Sequence, residues 1–226
     1  MRTYAAVPFK DPRSAKTRLA RALSDEEREG LSMAMFEDVL AALLGAEGLD
    51  KVLVVSSSRE VLSEAARMGA VPIDEGAPRG LNEALGLALE VCLREGADAL
   101  LVAPADLPLL TRGCVSRLLD LLGPPPSVVI SPSRGRGGTN ALLLSPPNLI
   151  RFSFGPGSFS RHLSLALGRG ADVVVYEAPE LSLDVDEEED LRRLLAAPAR
   201  GRTAGFLAKL RASPRYSTLL QAPSEK

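Results

Sequence analysis

Short apolar runs alternate along the chain with longer stretches in which apolar residues recur every three or four positions. The apolar runs predict strands at 3–7, 51–56, 70–73, 99–103, 127–131, 141–144 and 172–176. They are nearly continuously apolar, as in VLVV at 52–55 and LLV at 100–102, which is typical of strands buried on both faces. The alternation predicts an α/β, Rossmann-like fold, in which a mostly parallel sheet carries helices on both faces.

The amphipathic stretches predict the helices between these strands. The clearest helix runs from Asp25 to about Leu44, and Ser24 with Glu27 three residues later forms a capping box at its start. Further helical stretches are predicted at 59–67, 81–94, 111–121, 158–167 and 187–195. Ligands of such sheets bind at the carboxyl ends of the strands, so functional residues are expected just after each strand.

The chain has 27 Lys and Arg against 29 Asp and Glu, a formal net charge of −2. A dedicated nucleic-acid binder normally carries a basic surplus, so nucleic acid is not an expected partner. The charge is unevenly distributed, because residues 198–226 are basic and rich in Ala, Pro and Ser. We predict a single domain over residues 1–197 and a basic C-terminal tail over 198–226, which is either mobile or a docking element for a second copy in a homodimer.

Several classes of protein are disfavoured by residue usage. Cys92 and Cys114 are far apart and His162 is the only histidine, which argues against a zinc site, a disulfide framework and a histidine-dependent hydrolase. No apolar stretch reaches the ~18 to 20 residues of a membrane helix, and the first residues do not form a signal peptide. The sequence therefore predicts a cytoplasmic protein without a membrane partner.

Acidic residues follow the predicted strands in two places. Asp106 comes after the strand at 99–103, between two prolines that stiffen its loop. Asp184 and Asp186 are two residues apart, so an extended backbone would send both side chains the same way. Together these carboxylates suit a hard cation such as Mg²⁺. The residues alone leave open a simpler explanation, in which each acid caps the turn or helix that follows it.

A basic segment follows the first strand. Lys10, Lys16 and Arg18 lie within nine positions, and a helix is expected to begin near Ser14. Cations and free backbone amides at the end of a strand suit a polyphosphate. The segment contains neither GxGxxG nor GxxxxGK[ST], so a solvated basic loop is the alternative.

Polar residues at turns suggest two further contacts. Thr139 and Ser158 lie in glycine-rich segments, where hydroxyls and backbone amides suit a phosphate or carboxylate, and Arg134 with Arg136 favours an anion. Ordinary glycine-rich loops are the alternative. The amide of Asn82, at a helix start, offers a donor and an acceptor to a base edge, although asparagine there is usually a cap.

Six segments occur in a fixed order along the chain. They are VPFKDPRSAKTRLA at 7–20, GLNEAL at 80–85, APADLP at 103–108, GGTNAL at 137–142, FGPGSFSRH at 154–162 and LDVDEEEDL at 183–191. In this order they resemble the 2-phospho-L-lactate guanylyltransferase family of coenzyme F(420) biosynthesis, some of whose members use phosphoenolpyruvate instead. The resemblance covers about residues 3–196 and departs at RGR, 134–136, where many members carry an acid.

The resemblance implies a nucleotidyltransferase with a nucleotide-diphospho-sugar transferase-like fold, which couples GTP to phosphoenolpyruvate or 2-phospho-L-lactate and releases diphosphate. It implies that Mg²⁺ is bound by Asp106, Asp184 and Asp186. It implies an acceptor site of Thr139, Gly155 and Ser158, a nucleotide site of Lys10, Lys16, Arg18, Leu81 and Asn82, and a catalytic set of Lys16, Arg18 and Asp106.

Two other functions remain open at this point. One is a nucleotidyltransferase for a molybdopterin or a sugar phosphate, although such enzymes typically carry a glycine-rich loop after the first strand, where this chain has PFKDP at 8–12. The other is a non-catalytic nucleotide-binding module, in which the basic loop binds an anion and the aspartates are only caps.

Overall fold

A central sheet of seven strands organises the chain, whose computed structural model describes residues 1–212 except for the side chain of Arg136. The strands are β1 (Thr3–Pro8), β2 (Lys51–Ser56), β3 (Val71–Asp74), β4 (Ala99–Val102), β5 (Ser127–Pro132), β6 (Thr139–Ser145) and β7 (Asp172–Val175). Their order is β3-β2-β1-β4-β6-β5-β7, and β6 runs antiparallel to both of its neighbours while the other pairs are parallel. The predicted mostly parallel α/β sheet is thereby confirmed.

Helices cover both faces of this sheet, as the alternating pattern predicted. They are α1 (Asp25–Leu44), α2 (Arg59–Met68), α3 (Leu81–Glu95), α4 (Arg112–Asp120), α5 (Ser158–Gly168), α6 (Pro179–Ser182), α7 (Glu188–Ala196) and α8 (Gly201–Ala212). Apolar residues of α1, α2 and α4 pack on one face, and those of α3 and α5 pack on the other. The capping box of Ser24 and Glu27 is present. Within residues 1–212, no helix has the length and apolarity required to cross a membrane.

The helix expected to begin near Ser14 is absent, so that prediction is wrong. The chain instead forms two short 3₁₀ turns, Pro12–Ser14 and Thr17–Leu19. Lys16 separates them with a φ of 54° and a ψ of 38°, a left-handed conformation that cannot continue a right-handed helix. The basic segment is therefore a folded loop after β1.

Strand direction determines which residues reach the functional edge of the sheet. The strand order reverses between β1 and β4, and sheets of this kind bind ligands outside the strand ends at such a point. Because β6 is antiparallel, its first residues lie at the same edge as the last residues of β4 and β5: Thr139 pairs with Pro132, and Leu142 pairs with Val102.

Helix α8 forms part of the predicted basic tail and packs against α1. Leu207 and Leu210 are buried in one apolar cluster with Leu31 of α1. The Asp38 carboxylate accepts hydrogen bonds of 2.8 Å from the backbone amides of Arg202 and Thr203 and so caps the start of α8. Residues 213–226 lie outside the described residues, and the division at residue 197 and the mobile or docking role of the tail stay predictions.

The thiols of Cys92 and Cys114 are free and buried. Burial raises the pKa of each to about 11, so at about pH 8 roughly 0.1% of either thiol is the reactive thiolate. We expect iodoacetamide to alkylate the folded protein about 100-fold more slowly than the protein unfolded in guanidinium chloride. Mass spectrometry of timed samples measures both rates, and equal rates would show that the thiols are accessible.

Candidate active site

Two neighbouring clefts open at the edge of the sheet where β1 and β4 end. The first has a volume of about 420 Å³ and lies between the loop after β1 and the start of α3. The second, about 380 Å³, lies between the start of β6 and the start of α5. Asp106 and Asp186 line both clefts, so the two spaces share a wall of carboxylates.

The Lys16 ammonium joins the two carboxylates of this wall. Its Nζ donates hydrogen bonds to Asp106 Oδ2 at 2.6 Å and to Asp186 Oδ1 at 2.8 Å, and its side chain is only 8% exposed. Burial opposes the charge of Lys16, but the negative charges of the two carboxylates outweigh burial and raise its pKa. The lysine therefore remains charged at neutral pH.

The backbone at Lys16 is held in its left-handed conformation by neighbouring contacts. Lys16 is the one non-glycine residue with positive φ within residues 1–212, and this conformation costs ~1 to 2 kcal/mol. Arg28 of α1 is buried and donates from Nη1 to the Ala15 carbonyl at 2.9 Å. This role of Arg28 could not be predicted from the sequence, because its contact with the loop is made only in the folded chain.

Asp184 is the third carboxylate near this wall. Its Oδ1 accepts a hydrogen bond of 3.4 Å from the Asn140 amide, which also donates to the Leu181 carbonyl at 2.8 Å. Burial raises the pKa of Asp184, and the negative charges of Asp106 and Asp186 raise it further. A positive charge beside Asp184 would relieve this repulsion. Sequence reasoning missed Asn140 as a residue that orients Asp184, although a buried amide within a strand is a recognisable signal.

Of the acidic residues around the start of α7, some cap the helix and one faces the clefts. Glu187 and Asp190 form the capping box of α7, so Asp186 is not the cap, and its carboxylate contacts Lys16 instead. The donor type suits a hard cation, since carboxylate oxygens are the ligands that Mg²⁺ prefers. Within residues 1–212, no three His, Cys, Asp or Glu side chains converge closely enough to enclose a metal ion. The three predicted ligands all line the second cleft, but they do not form a closed metal site, and Lys16 lies between Asp106 and Asp186.

Glycine-rich turns form the far side of the second cleft. Gly155 and Gly157 have φ of 120° and 74°, which side chains rarely allow, and they bring the chain into α5 at Ser158. The Gly157 amide donates to the Gly137 carbonyl at 2.7 Å and joins the two glycine-rich loops. Thr139, Gly155 and Ser158 all line this cleft, so the structure brings the three predicted acceptor residues together.

Four of the five residues predicted to bind the nucleotide line the clefts, and Asn82 lines neither. Lys10 lines the first cleft and Leu81 lines both. Arg18 lines the second cleft and donates to Glu187 Oε1 at 3.0 Å. The Asn82 amide accepts from the Phe154 amide at 2.8 Å and donates to the Phe154 carbonyl at 3.3 Å. Asn82 therefore anchors the loop before α5, and its contact with a base stays a prediction.

Arg134 lines neither of the two clefts. It borders a separate cavity of about 600 Å³ with Glu177 and Pro179, so the structure gives no support to the expected contact of this arginine with an anion in the second cleft. The side chain of Arg136 lies outside the described residues.

Sequence reasoning also missed the environment of His162. Its Nδ1 lies 3.0 Å from Thr139 Oγ1, and its Nε2 lies 2.9 Å from the Ser153 amide nitrogen. Burial, followed by the nearby charge of Arg161, lowers the pKa of His162 to about 4, so the ring is neutral at neutral pH. The FGPGSFSRH segment contains His162, but its partner Thr139 belongs to another motif.

Sequence comparisons with known proteins match guanylyltransferases. The model of the family described as "Guanylyl transferase CofC like" matches residues 3–221, beyond the end of the motif resemblance. A phosphoenolpyruvate guanylyltransferase from Rubrobacter xylanophilus is 50% identical over 198 residues, which are 87% of this chain and 95% of that protein. A 2-phospho-L-lactate guanylyltransferase from Methanothermobacter thermautotrophicus is 41% identical over 211 residues, 93% of this chain and 92% of that one.

Among solved structures, the fold is similar to a protein from Desulfovibrio desulfuricans that is described as a nucleotide-diphospho-sugar transferase. The TM-score is 0.70 at 18% identity, and the match covers 98% of this chain and 95% of that one. At this identity the likeness concerns the fold alone.

Proposed function

This chain belongs to the CofC-like guanylyl transferase family, and on that premise we propose that it transfers the guanylyl group of GTP to a three-carbon phospho-acid and releases diphosphate. The acceptor is phosphoenolpyruvate or 2-phospho-L-lactate, and the reaction is a step of coenzyme F(420) biosynthesis. The observation that carries this proposal is the pair of clefts divided by Asp106 and Asp186. Two phosphate-bearing substrates must meet over a common wall for such a transfer.

The residues around each cleft support one assignment of the substrates. GTP fits the first cleft, with Leu81 towards the base and with Lys10 and Lys16 towards the triphosphate. Asn82, which lines neither cleft, stays a proposed contact of the base. The phospho-acid fits the second cleft, which offers the Thr139 and Ser158 hydroxyls and the amides around Gly155. Arg18 reaches the shared region from the acceptor side, where its charge offsets that of the departing diphosphate.

The transfer requires one nucleophile and one leaving group. A phosphate oxygen of the acceptor forms a bond to the α-phosphorus of GTP, while the bond from that phosphorus to the α,β-bridging oxygen breaks and diphosphate takes the electron pair. A phosphate monoester is largely dianionic at neutral pH, since its second pKa is ~6. A general base is therefore unnecessary, which agrees with a chain whose only histidine is buried and paired.

We propose Mg²⁺ as the resident cation, held by Asp106, Asp184 and Asp186. Carboxylate oxygens are the type of donor that this ion prefers, and the raised pKa of Asp184 supports a place where added positive charge is favourable. When bound, Mg²⁺ supplies neutralisation of phosphate charge. Lys16 contributes a second positive charge at the same wall, and Asn140 keeps the Asp184 carboxylate oriented.

Diphosphate release measures this function directly. We expect the purified protein with Mg²⁺ to release diphosphate from GTP when phosphoenolpyruvate or 2-phospho-L-lactate is added, and much less from ATP. A panel that includes 3-phosphoglycerate then ranks the acceptors, because one pocket contact is worth ~1 to 3 kcal/mol. Absence of release with GTP and every acid would overturn the proposal and favour a non-catalytic module, whereas activity only with a sugar phosphate or molybdopterin would indicate another transferase.

Replacing Ser158 by alanine tests the acceptor cleft. A lost hydrogen bond to a charged oxygen costs ~1.5 to 3 kcal/mol, so we expect the acceptor KM to rise about 10-fold or more while the KM for GTP stays unchanged. Ser160→Ala is the matched control, because Ser160 lies on the same helix and is exposed. An unchanged acceptor KM in Ser158→Ala would remove Ser158 from the acceptor site.

A further inference from the structure

We propose that His162 is a positioning residue that fixes the Thr139 hydroxyl as a hydrogen-bond donor aimed at the acceptor. The inference deepens the proposed function and rests on it for the identity of the second cleft. It starts from two contacts of one imidazole ring, Nε2 with the Ser153 amide and Nδ1 with Thr139 Oγ1.

The contact with Ser153 determines which ring nitrogen carries the proton. A backbone N–H is always a donor, so Nε2 of His162, at 2.9 Å from the Ser153 nitrogen, must be the acceptor and carry no hydrogen. In a neutral imidazole the proton then lies on Nδ1. A pKa of about 4 agrees with a neutral ring. Nδ1 therefore donates to Thr139 Oγ1 at 3.0 Å.

This donation from His162 leaves the Thr139 hydroxyl to act as the donor in its next hydrogen bond. Its Oγ1 already accepts from His162, so the hydroxyl hydrogen must be directed to another atom. Among residues 1–212, no side-chain or backbone atom accepts from this hydroxyl, and Thr139 lines the second cleft. The hydroxyl thus presents a hydrogen to a ligand oxygen that can only accept, which is the chemistry of the carboxylate or phosphate of a phospho-acid.

Packing holds the ring in this orientation. His162 is fully buried, and the Phe154 ring meets it edge-on with centroids 4.8 Å apart. Phe154 is itself fixed through its backbone by the two hydrogen bonds to Asn82. A ring flip would place a carbon against the Ser153 amide and leave that buried donor unpaired.

The proton position can be measured directly, because the chain contains one histidine. In an NMR spectrum of protein labelled with ¹⁵N-histidine, we expect one set of imidazole signals. Nδ1 should give a pyrrole-type signal and Nε2 a pyridine-type signal at about pH 7. The opposite assignment, or a doubly protonated ring, would overturn the proposal. This measurement needs no substrate, so it is independent of whether the proposed function holds.

Two substitutions separate the ring's two contacts. His162→Gln can place a carbonyl near the position of Nε2 and retain the Ser153 contact, but it leaves no donor at Nδ1. His162→Asn can place an amide N–H near Nδ1 and retain the donation to Thr139, while the Ser153 amide loses its partner. We expect about a 10-fold rise in acceptor KM for His162→Gln, a smaller rise for His162→Asn, and the larger loss of Tm for His162→Asn. The reverse order of the two KM values would overturn the proposal.

Thr139→Val completes the test and does not depend on the folding of the histidine variants. We expect its acceptor KM to rise about 10-fold at an unchanged KM for GTP, and we expect Thr139→Val with His162→Gln to be no worse than Thr139→Val alone. Additive effects, or equal effects on both KM values, would mean that His162 acts only through general stability. If the wild-type protein is inactive with every acid, the proposed function fails, and the labelled histidine still decides the orientation of the ring.

Discussion

Replacing Asp106 by asparagine is expected to lower kcat for GTP-dependent diphosphate release by about 10³-fold. Asp106 lines both clefts and accepts a hydrogen bond from Lys16, so its charge lies where we propose that the two substrates meet. Asparagine keeps the size of the side chain but removes the negative charge that holds a cation. Lys16 retains Asp186 as a partner, and we therefore expect a Tm within about 4 °C of the wild type.

Asp120→Asn is the matched control for this change, because Asp120 is an exposed residue at the end of α4. Steady-state release of diphosphate gives kcat, and differential scanning calorimetry gives Tm. Near-normal turnover in Asp106→Asn would show that the metal assignment is wrong. A large decrease in Tm together with a loss of activity would indicate that the substitution damages the fold rather than the chemistry.

Replacing Lys16 by methionine is expected to lower kcat by about 10²-fold to 10³-fold, the usual effect of removing one group that stabilises developing charge. Methionine keeps a long, unbranched side chain but lacks the ammonium that lies between Asp106 and Asp186. Lys209→Met is the control, since Lys209 is exposed on α8. If Lys16→Met turns over like the control, Lys16 does not act on the triphosphate.

The same variant has a pH dependence of known sign. The pKa of Lys16 is raised in the folded protein, so the stability that its charge contributes is present below the unfolded pKa of ~10.4 and is lost only as pH rises through the raised value. Lys16→Met lacks this contribution at about pH 7.

Acidification should partly compensate for the missing ammonium. The pKa of Asp184 is already raised by burial and by the negative charge of Asp106, and without the nearby ammonium we expect it to rise further in Lys16→Met. Protonation on acidification then stabilises the variant more than the wild type. The difference in Tm between wild type and Lys16→Met is therefore expected to narrow between about pH 8 and about pH 5. Calorimetry over this range tests the sign, and a difference that widens on acidification would contradict it.

The strands were predictable because each is a short apolar run that differs sharply from its flanks. Their direction was not, since a strand buried on both faces has the same pattern in either direction. The antiparallel strand β6 shows the consequence. Thr139 lies at the start of β6 and still reaches the functional edge, whereas a rule that looks only after strand ends would not find it there. The six predicted helical stretches correspond to α1–α5 and α7, whereas the helix expected near Ser14 is interrupted by the conformation of Lys16.

For the candidate site, the sequence predicted which charged segments meet but not how their side chains pair. Asp106 follows the end of β4 as expected, whereas Asp184 and Asp186 do not follow a strand but lie between α6 and α7. The structure nevertheless brings all three to one edge of the sheet. The pairing of Asn82 with Phe154, 72 residues away, depends on packing between α3 and the loop before α5. No local pattern contains such a contact, so the role of Asn82 in anchoring the loop before α5 could not be predicted, and its contact with a base stays a prediction.

In the proposed assignment of substrates, the two clefts separate donor recognition from acceptor recognition along the chain. The first cleft is built chiefly from the loop after β1 and the start of α3, and the second from the loops around β6 and α5. Sequence changes confined to the second set can alter the preferred acid without disturbing nucleotide binding. Some relatives are named for phosphoenolpyruvate and others for 2-phospho-L-lactate, and both are named guanylyltransferases. Such a set of names is expected when the acceptor half of a site diverges and the donor half is retained.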